Sequence, residues 1–523
     1  MLNNCFKRIQ RNVANRENAL SFFLGLALVL CYAPFSYYWL MAIILPSWLY
    51  AQQGKSVSAA TKQGFIFAFA WFAGGISWVH VSIDQFGGLP LAVSVLLMVL
   101  LCLYLAVFLA LACYLAARFS PQKQLNLWLL LPFWLLTELL RGVLLTGFPW
   151  LTLGYSQIDG PLAVFAPIIG ERGISAIVIS ISIAMVYILK QRKRYLNFAL
   201  LVAISVASLT LQNMNWVTPT GKSVKTMMVQ GNIKQAMKWA PELTWPTMLT
   251  YLDLTRQNFP ADIVIWPESA ITAVEPSTQA QDFLQIAQSS AMLNNSAIIS
   301  GIIDYNSNNK NYYNNLVVLG KYAVDDEQGR YQYNNKNRYA KHHLLPIGEF
   351  VPFADWLRPL APIFNLPMSS FSRGDYVQNN LVANGYHLLP LICFEVAFAE
   401  QLSANFSNQT DLLLTVSNDA WFGDSHGPHQ HLEIVRMRAL EFGRPFLRAT
   451  NNGITAVIDH QGNILKKLPQ FEQAVLSSEV PLVTGLTPYA RYIGVVDFTI
   501  PLLLLLLALI RRWQHKVSQD TIE

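Results

Sequence analysis

Between residues 19 and 212 the chain is a close succession of apolar runs, and this limits its fold more than any other feature. The runs fall at about 19–35, 36–51, 63–82, 90–117, 125–141, 162–189 and 195–212, with one more at about 494–510. Most approach the roughly 20 residues that a helix needs to cross the hydrocarbon of a bilayer; the second is the shortest. Only 13% of the residues are charged and 53% are hydrophobic, against roughly 25% charged in a soluble protein. A multi-span α-helical membrane domain of about eight helices is therefore expected. The tail 1–18, with Lys7, Arg8, Arg11 and Arg16 ahead of the first run, resembles a secretory leader. The second run follows at once with no small-residue cleavage site, which favours an uncleaved first helix.

The formal net charge of +6 is concentrated at segment ends, so it marks topology rather than a nucleic-acid surface. With tail 1–18 cytoplasmic, the loops on that side hold Lys55 and Lys62, Arg118 and Lys123, Lys190 to Arg194, and Arg511, Arg512 and Lys516. The opposite loops hold Asp84, Arg141, Glu171 and Arg172, a far weaker basic bias. Seven spans within 19–212 then place residues 219–484 outside the cytoplasm. The eighth, 494–510, returns tail 511–523 inside. Glu138 and Arg141, three apart near the outer end of the fifth run, have the spacing of a helical ion pair.

Residues 219–484 have ordinary mixed composition and alternate short strands with helices. Strands are expected at 226–230, 262–266, 297–303, 315–319, 387–392, 411–417 and 455–459, and helices at 241–257, 277–294 and 429–442. That alternation argues an α/β layered domain. Of the five cysteines, Cys5, Cys31, Cys102 and Cys113 lie in the tail and the apolar runs. Cys393 stands alone in the mixed region, so no disulfide can form within that region.

Cys393 ends the strand-like run Leu388–Ile392, and Glu395 follows two positions on, where strand alternation would share a face with it. A lone cysteine is often a small buried hydrophobe. At a strand end beside a carboxylate it is also where a nucleophile can be held and activated. Glu268, in Trp266-Pro-Glu-Ser269, and Asn418-Asp419 also follow apolar strands directly, and α/β sheets gather ligand-binding groups at strand ends. Lys341 lies in the half-apolar stretch Arg338–Glu349. Facing Cys393 it would supply positive charge to an oxyanion; otherwise it is a solvated side chain.

Glu268, Lys341 and Cys393, in that order, are identified as the signature of the nitrilase superfamily. Together with the membrane frame the chain resembles the apolipoprotein N-acyltransferase family of bacterial lipoprotein maturation. The supporting stretches are Val229–Ile233 with Trp239, Trp266–Ser269, Lys341 with Gly348–Pro352, Cys393–Glu395, Asn418–Gly423 and Arg448–Gly453. The resemblance implies an αββα sandwich for residues 219–484, in the periplasm of a Gram-negative cell and anchored in its inner membrane. It implies ping-pong acyl transfer from a membrane phospholipid to the α-amino group of the S-diacylglyceryl cysteine of an apolipoprotein, through a thioester on Cys393. Glu268 would be the proton acceptor and Lys341 the oxyanion partner, with Glu349, Glu395, Trp239 and Phe394 in support. Phe394 departs from the Tyr often found after the nucleophile, which removes a hydroxyl. Neither cofactor nor metal is implied, and the chain is expected to act as a monomer.

Residues 350–371 are unusually apolar for a loop, with Trp356 and Phe364 among them, and read as a lid dipping into the bilayer, with Trp421 and Phe422 as a second arm of the lipid entrance. His426, His429 and His431 cluster without a Cys or carboxylate at zinc-ligand spacing and read as loop and helix-start histidines. Two other functions fit parts of this pattern. A membrane-tethered amidase would share the thiol chemistry and transfer to water, but would need no apolar lid. A transporter with an inert outer domain would carry more charge in its spans.

Overall fold

The structure, a computed structural model, describes residues 2–520 apart from Gly87, Pro121, Gln328, Arg330, Ile347 and 351–370. The chain forms two compact units, one of Met1–His80, Leu91–Met214 and Tyr492–Glu523, the other of Val81–Pro90 and Asn215–Arg491.

The first unit is all helical, with segments Leu2–Leu28, Met41–Gln52, Val57–Gly75, Leu91–Arg118, Leu127–Arg141, Ala166–Leu189 and Arg194–Leu211, and the helix Pro488–Asp520 joins it beyond its first turn. Each expected apolar run is thus helical, but their lengths differ from expectation. Among the described residues, Leu91–Arg118, Ala163–Leu189 and Arg194–Leu211 are long and apolar enough to cross a bilayer, and the pair Val57–Gly75 and Val79–Gln85, bent by 55°, adds a fourth. The first helix begins in the polar tail that carries Lys7, Arg8, Arg11 and Arg16, Met41–Gln52 has only 12 residues, and Leu127–Arg141 has 15. The Glu138–Arg141 contact exists at 3.9 Å, but Arg141 makes shorter bonds of 2.7 Å to the carbonyls of Phe148 and Trp150. Its guanidinium therefore chiefly satisfies the backbone of the following loop. Arg172 meets Asp497 at 2.8 Å, tying the C-terminal helix to Ala166–Leu189.

The second unit contains two sheets. The first orders its strands β13 (Ala474–Thr484), β1 (Thr218–Gln230), β2 (Ile263–Ile265), β4 (Ala297–Asn306), β5 (Asn311–Gly320) and β6 (Arg338–Ala340), with β3 (Ile271–Val274) beside β4. The second orders them β12 (Ile464–Lys467), β11 (Ala456–Ile458), β10 (Phe446–Thr450), β9 (Leu412–Ser417), β8 (Tyr386–Ile392) and β7 (Leu381–Ala383). Parallel pairs β1–β2–β4 and β8–β9–β10 form the two centres.

Strand periodicity sorts side chains between layers. Met228, Ile263, Ile265 and Ile299 join Ile392, Leu414, Val416 and Leu447 in one buried cluster, so the two sheets pack face to face. Their neighbours Met227, Val229, Val264 and Ile298 turn the other way and meet Met248, Leu252, Phe283 and Leu284 of the helices Thr244–Asn258 and Thr278–Leu293. Each fully buried aliphatic side chain contributes about 1.5–3 kcal/mol, so these layers outweigh any exposed ion pair at about 0–1 kcal/mol. The helix Gly427–Phe442 is likewise buried along most of its length. The unit is thus a sandwich of two sheets with flanking helices.

The strands expected from sequence all exist, most within a few residues of their expected bounds, though β1 begins at Thr218, eight residues before its expected start; β3, β6, β7, β10, β12 and β13 went unforeseen. For β13 the signal was present: Leu476, Ser478, Val480 and Leu482 alternate with exposed residues.

Candidate active site

The carboxyl ends of β2, β6, β8, β9 and β10 supply the polar groups of the site. Cys393 directly follows β8, Asn418 follows β9, Asn451 follows β10, Lys341 follows β6, and Glu268 comes three residues after β2. Apolar strand bodies fix the sheets, and the first polar residue past each end is left at the common edge.

Lys341 is 2% exposed, with its Nζ 2.8 Å from Glu349 and 3.5 Å from Glu268 Oε1. Burial alone would favour the neutral amine. The charges of Glu349 and Glu268 outweigh it and hold the ammonium well above the usual lysine range. Asn314 of β5 bridges the two carboxylates, its Nδ2 donating to Glu268 Oε1 at 2.8 Å and to Glu349 Oε1 at 3.2 Å. The other oxygen of Glu268 accepts from Asn418 N at 3.0 Å. Glu349 also accepts from Leu345 N at 2.8 Å. Glu268 is therefore fixed by three donors from three elements.

The turn that carries Glu268 lies against Gly301 of β4. A Cβ there would fall 2.4 Å from Ser269 N and 2.8 Å from Glu268 Cα, so only glycine admits this approach. Lys238, 1% exposed, donates to the Glu268 carbonyl at 3.0 Å. Burial lowers its ammonium to about 8, with the Glu268 charge opposing. Trp239 follows it, half-buried, with the Lys238 ammonium 5.8 Å over its ring.

Cys393 opens a short helical turn, Cys393–Ala397, with φ +54°. A side chain in this left-handed region costs roughly 1–2 kcal/mol, so the surroundings must hold it there. Burial pushes the thiol up to about 12, with the Glu268 charge adding to it and Lys341 and the Ser417 hydroxyl pulling down. At neutral pH the resting group is a thiol that must lose its proton to react.

Glu395 departs from expectation. The strand ends at Ile392, so strand alternation does not govern Cys393 and Glu395. Glu395 is fully buried and accepts from Ile392 N at 2.7 Å, His342 N at 2.8 Å, His343 N at 3.0 Å, Gln401 Nε2 at 2.8 Å and Tyr339 OH at 2.9 Å. It clamps the segment after Lys341 to the strand end before Cys393. Burial raises its carboxyl, against the lowering pull of these donors. Phe394 is 5% exposed and packs edge-on to His343 and Phe398.

Trp421 and Phe422 end the turn Asp419–Phe422, both half-buried. Ser82 Oγ donates to the Trp421 carbonyl at 2.6 Å, which anchors Val81–Pro90 to this unit. Phe422 meets the His431 ring edge-on at 6.3 Å. Trp356 and Phe364 lie outside the described residues. Asn314 and Lys238 are residues that sequence reasoning passed over; Asn451 lay inside a stretch quoted only for the family resemblance, and His431 was read as a helix-start histidine.

The family models divide the chain in the same sense. Residues 24–184 match the apolipoprotein N-acyltransferase N-terminal domain, and residues 225–486 match the carbon-nitrogen hydrolase domain. A protein of Shewanella oneidensis named apolipoprotein N-acyltransferase is 50% identical over 90% of this chain and 91% of its own. Namesakes from Photobacterium profundum (48%, 89% of this chain and 89% of its own) and Vibrio parahaemolyticus (46%, 94% and 95%) are similar over comparable lengths. This chain belongs to the apolipoprotein N-acyltransferase family. In this family member, Glu268, Lys341, Glu349 and Cys393 all fall within the carbon-nitrogen hydrolase match, and Glu138 and Arg141 within the N-terminal one.

Proposed function

We propose that this protein transfers an acyl chain from a membrane phospholipid to the α-amino group of the N-terminal S-diacylglyceryl cysteine of apolipoproteins. The observation that carries the reading is that likeness to proteins of that name runs through both the membrane part and the hydrolase part of the chain. An amidase acting on soluble substrates would call for the second part alone.

Glu268 takes the Cys393 proton as Sγ attacks the donor ester carbonyl. The oxyanion that forms is met by the Lys341 ammonium, a contribution of about 3–4 kcal/mol for one donor. Collapse breaks the ester bond, Glu268 returns the proton to the leaving lysophospholipid alkoxide, and the acyl group stays on sulfur as a thioester. The acceptor amine attacks next and gives its proton to Glu268. The C–S bond breaks, the thiolate regains the proton, and an amide is released. The close approach of Glu349 and Glu268 to Lys341 supports this division of labour: the lysine remains charged while Glu268 cycles.

By the same reading the protein sits in the inner membrane as a monomer, with 19–212 and 494–510 as membrane spans, 219–484 in the periplasm, and both tails, 1–18 and 511–523, in the cytoplasm. Mass spectrometry of the purified protein mixed with phospholipid tests the chemistry. An acyl adduct on Cys393, discharged by a diacylated lipopeptide and stable in water, is expected. Loss of the adduct to water at the same rate would identify an amidase instead.

A further inference from the structure

His431 lies on the helix Gly427–Phe442 and is fully buried. Its Nε2 is 3.1 Å from the carbonyl oxygen of Cys393. A carbonyl can only accept, so Nε2 is the protonated nitrogen in this contact. On the other side of the ring, Nδ1 is 3.6 Å from Asp419 Oδ1. Asp419 is itself fixed by the Ser417 hydroxyl at 2.5 Å and by Arg448. A Cβ on Gly453 would fall 2.2 Å from Asp419 Oδ2, so the carboxylate is also boxed in sterically. Seven residues along the same helix, and so on the same face, Arg438 Nε donates to the Val396 carbonyl at 3.2 Å. One helix thus holds both ends of the turn Cys393–Ala397.

We propose that His431 is a positioning residue that holds Cys393 in its left-handed conformation by gripping its carbonyl. The proposal rests on Cys393 being the acyl-carrying nucleophile. With φ at +54°, Cys393 has an extended alternative available that would swing Sγ away from Glu268 and Lys341. The grip on the carbonyl removes that freedom. Because the peptide is planar and trans, it also fixes the direction of the Phe394 N–H, which points opposite to the Cys393 C=O. His431 touches no reacting atom; it acts through the main chain of the nucleophile.

The test compares two amides. In His431→Gln the side-chain nitrogen reaches the place of Nε2, whereas in His431→Asn it stops near Nδ1 and cannot reach the carbonyl. Each full-length variant is mixed with phosphatidylethanolamine micelles, and the rate of acyl-Cys393 formation is followed by mass spectrometry. Iodoacetamide alkylation of Cys393 gives a reading independent of lipid binding. We expect His431→Gln to acylate within about threefold of the parent and His431→Asn to lose at least tenfold, with the donor KM unchanged and alkylation slowed in parallel. Equal rates for the two amides would overturn the proposal, whether both are fast or both slow. A parent protein that forms no adduct on Cys393 would overturn the nucleophile reading itself, a separate failure.

Discussion

Replacing Glu395 by Gln changes one atom in a side chain that accepts five hydrogen bonds, and the structure allows the cost to be worked out. Oε1 serves His342 N, His343 N and Gln401 Nε2; Oε2 serves Ile392 N and Tyr339 OH. A glutamine keeps one oxygen. Placing it at Oε1 preserves three bonds and turns the new NH2 toward Ile392 N and Tyr339 OH. The tyrosine hydroxyl can rotate to accept, but the Ile392 N–H cannot. One buried donor is orphaned, at about 1–3 kcal/mol, and the three surviving bonds lose their charge assistance, roughly half their strength. Relief from burying a charge offsets part of this. The net is a loss of about 2–4 kcal/mol, read as a fall of roughly 4–10 °C in Tm by intrinsic fluorescence of the purified protein. The orphan falls on the residue before Cys393, so the rate of Cys393 acylation should also drop at least tenfold. A Glu395→Gln protein with parental Tm and parental acylation rate would refute the clamp.

Asn314→Ala removes the bridge between Glu268 and Glu349 and should lower acylation of Cys393 by about 10- to 100-fold, measured in a single turnover, while Tm stays within a few degrees. Glu268→Gln removes a charge that raises the Cys393 thiol, whose value stands at about 12. The thiol should therefore titrate lower and be alkylated faster by iodoacetamide at pH 9, even as acylation by lipid collapses. Gly301→Ala must displace the Glu268 turn, since its Cβ would sit 2.4 Å from Ser269 N; acylation should fall at least tenfold in a protein that remains folded by circular dichroism. Asp419 is held below the usual carboxylate range because Arg448, His431 and Ser417 together overcome the raising effect of burial. Its contribution to stability is then complete above about pH 4 and is lost only as pH falls below that, so Tm of the parent and of Asp419→Asn should converge on acidification and differ at pH 7.

Much of the site was legible because strands of apolar residues end abruptly in groups that have no business in a core. Cys393, Glu268 and Asn418 each stand within three residues of such an end. Their convergence was not legible, since it depends on which strands lie side by side. Asn314 shows the difference. It sits inside β5 at 4% exposure, and asparagine is depleted in strands, so a buried pair Asn314-Asn315 at the head of an apolar run was a signal that went unread. Glu395 was assigned a shared face with the nucleophile because the strand was assumed to continue. The left-handed turn at Cys393 breaks that periodicity, and no residue type in the stretch announces it.

His431 was missed for a different reason, and that reason bears on how the site is built. Three histidines in six residues were weighed as a group, set aside as metal ligands and read as loop and helix-start histidines, which gave none of them a task at the site. The structure separates them by function of place: only His431 points from the helix Gly427–Phe442 to the nucleophile's carbonyl, and its partner in that task is Arg438, seven positions on. The helical repeat, not the local clustering, was the informative pattern. The same logic explains why the nucleophile sits at β8 rather than at a sheet edge. A strained turn needs fixed neighbours on several sides, and β8 has β9 on one side, β7 on the other, the Glu395 clamp before the thiol and a buried helix against its carbonyl. An edge strand offers half of that. Cys393 can therefore hold an unfavourable conformation and an unfavourably protonated thiol at rest because its surroundings, not its own residue type, determine both.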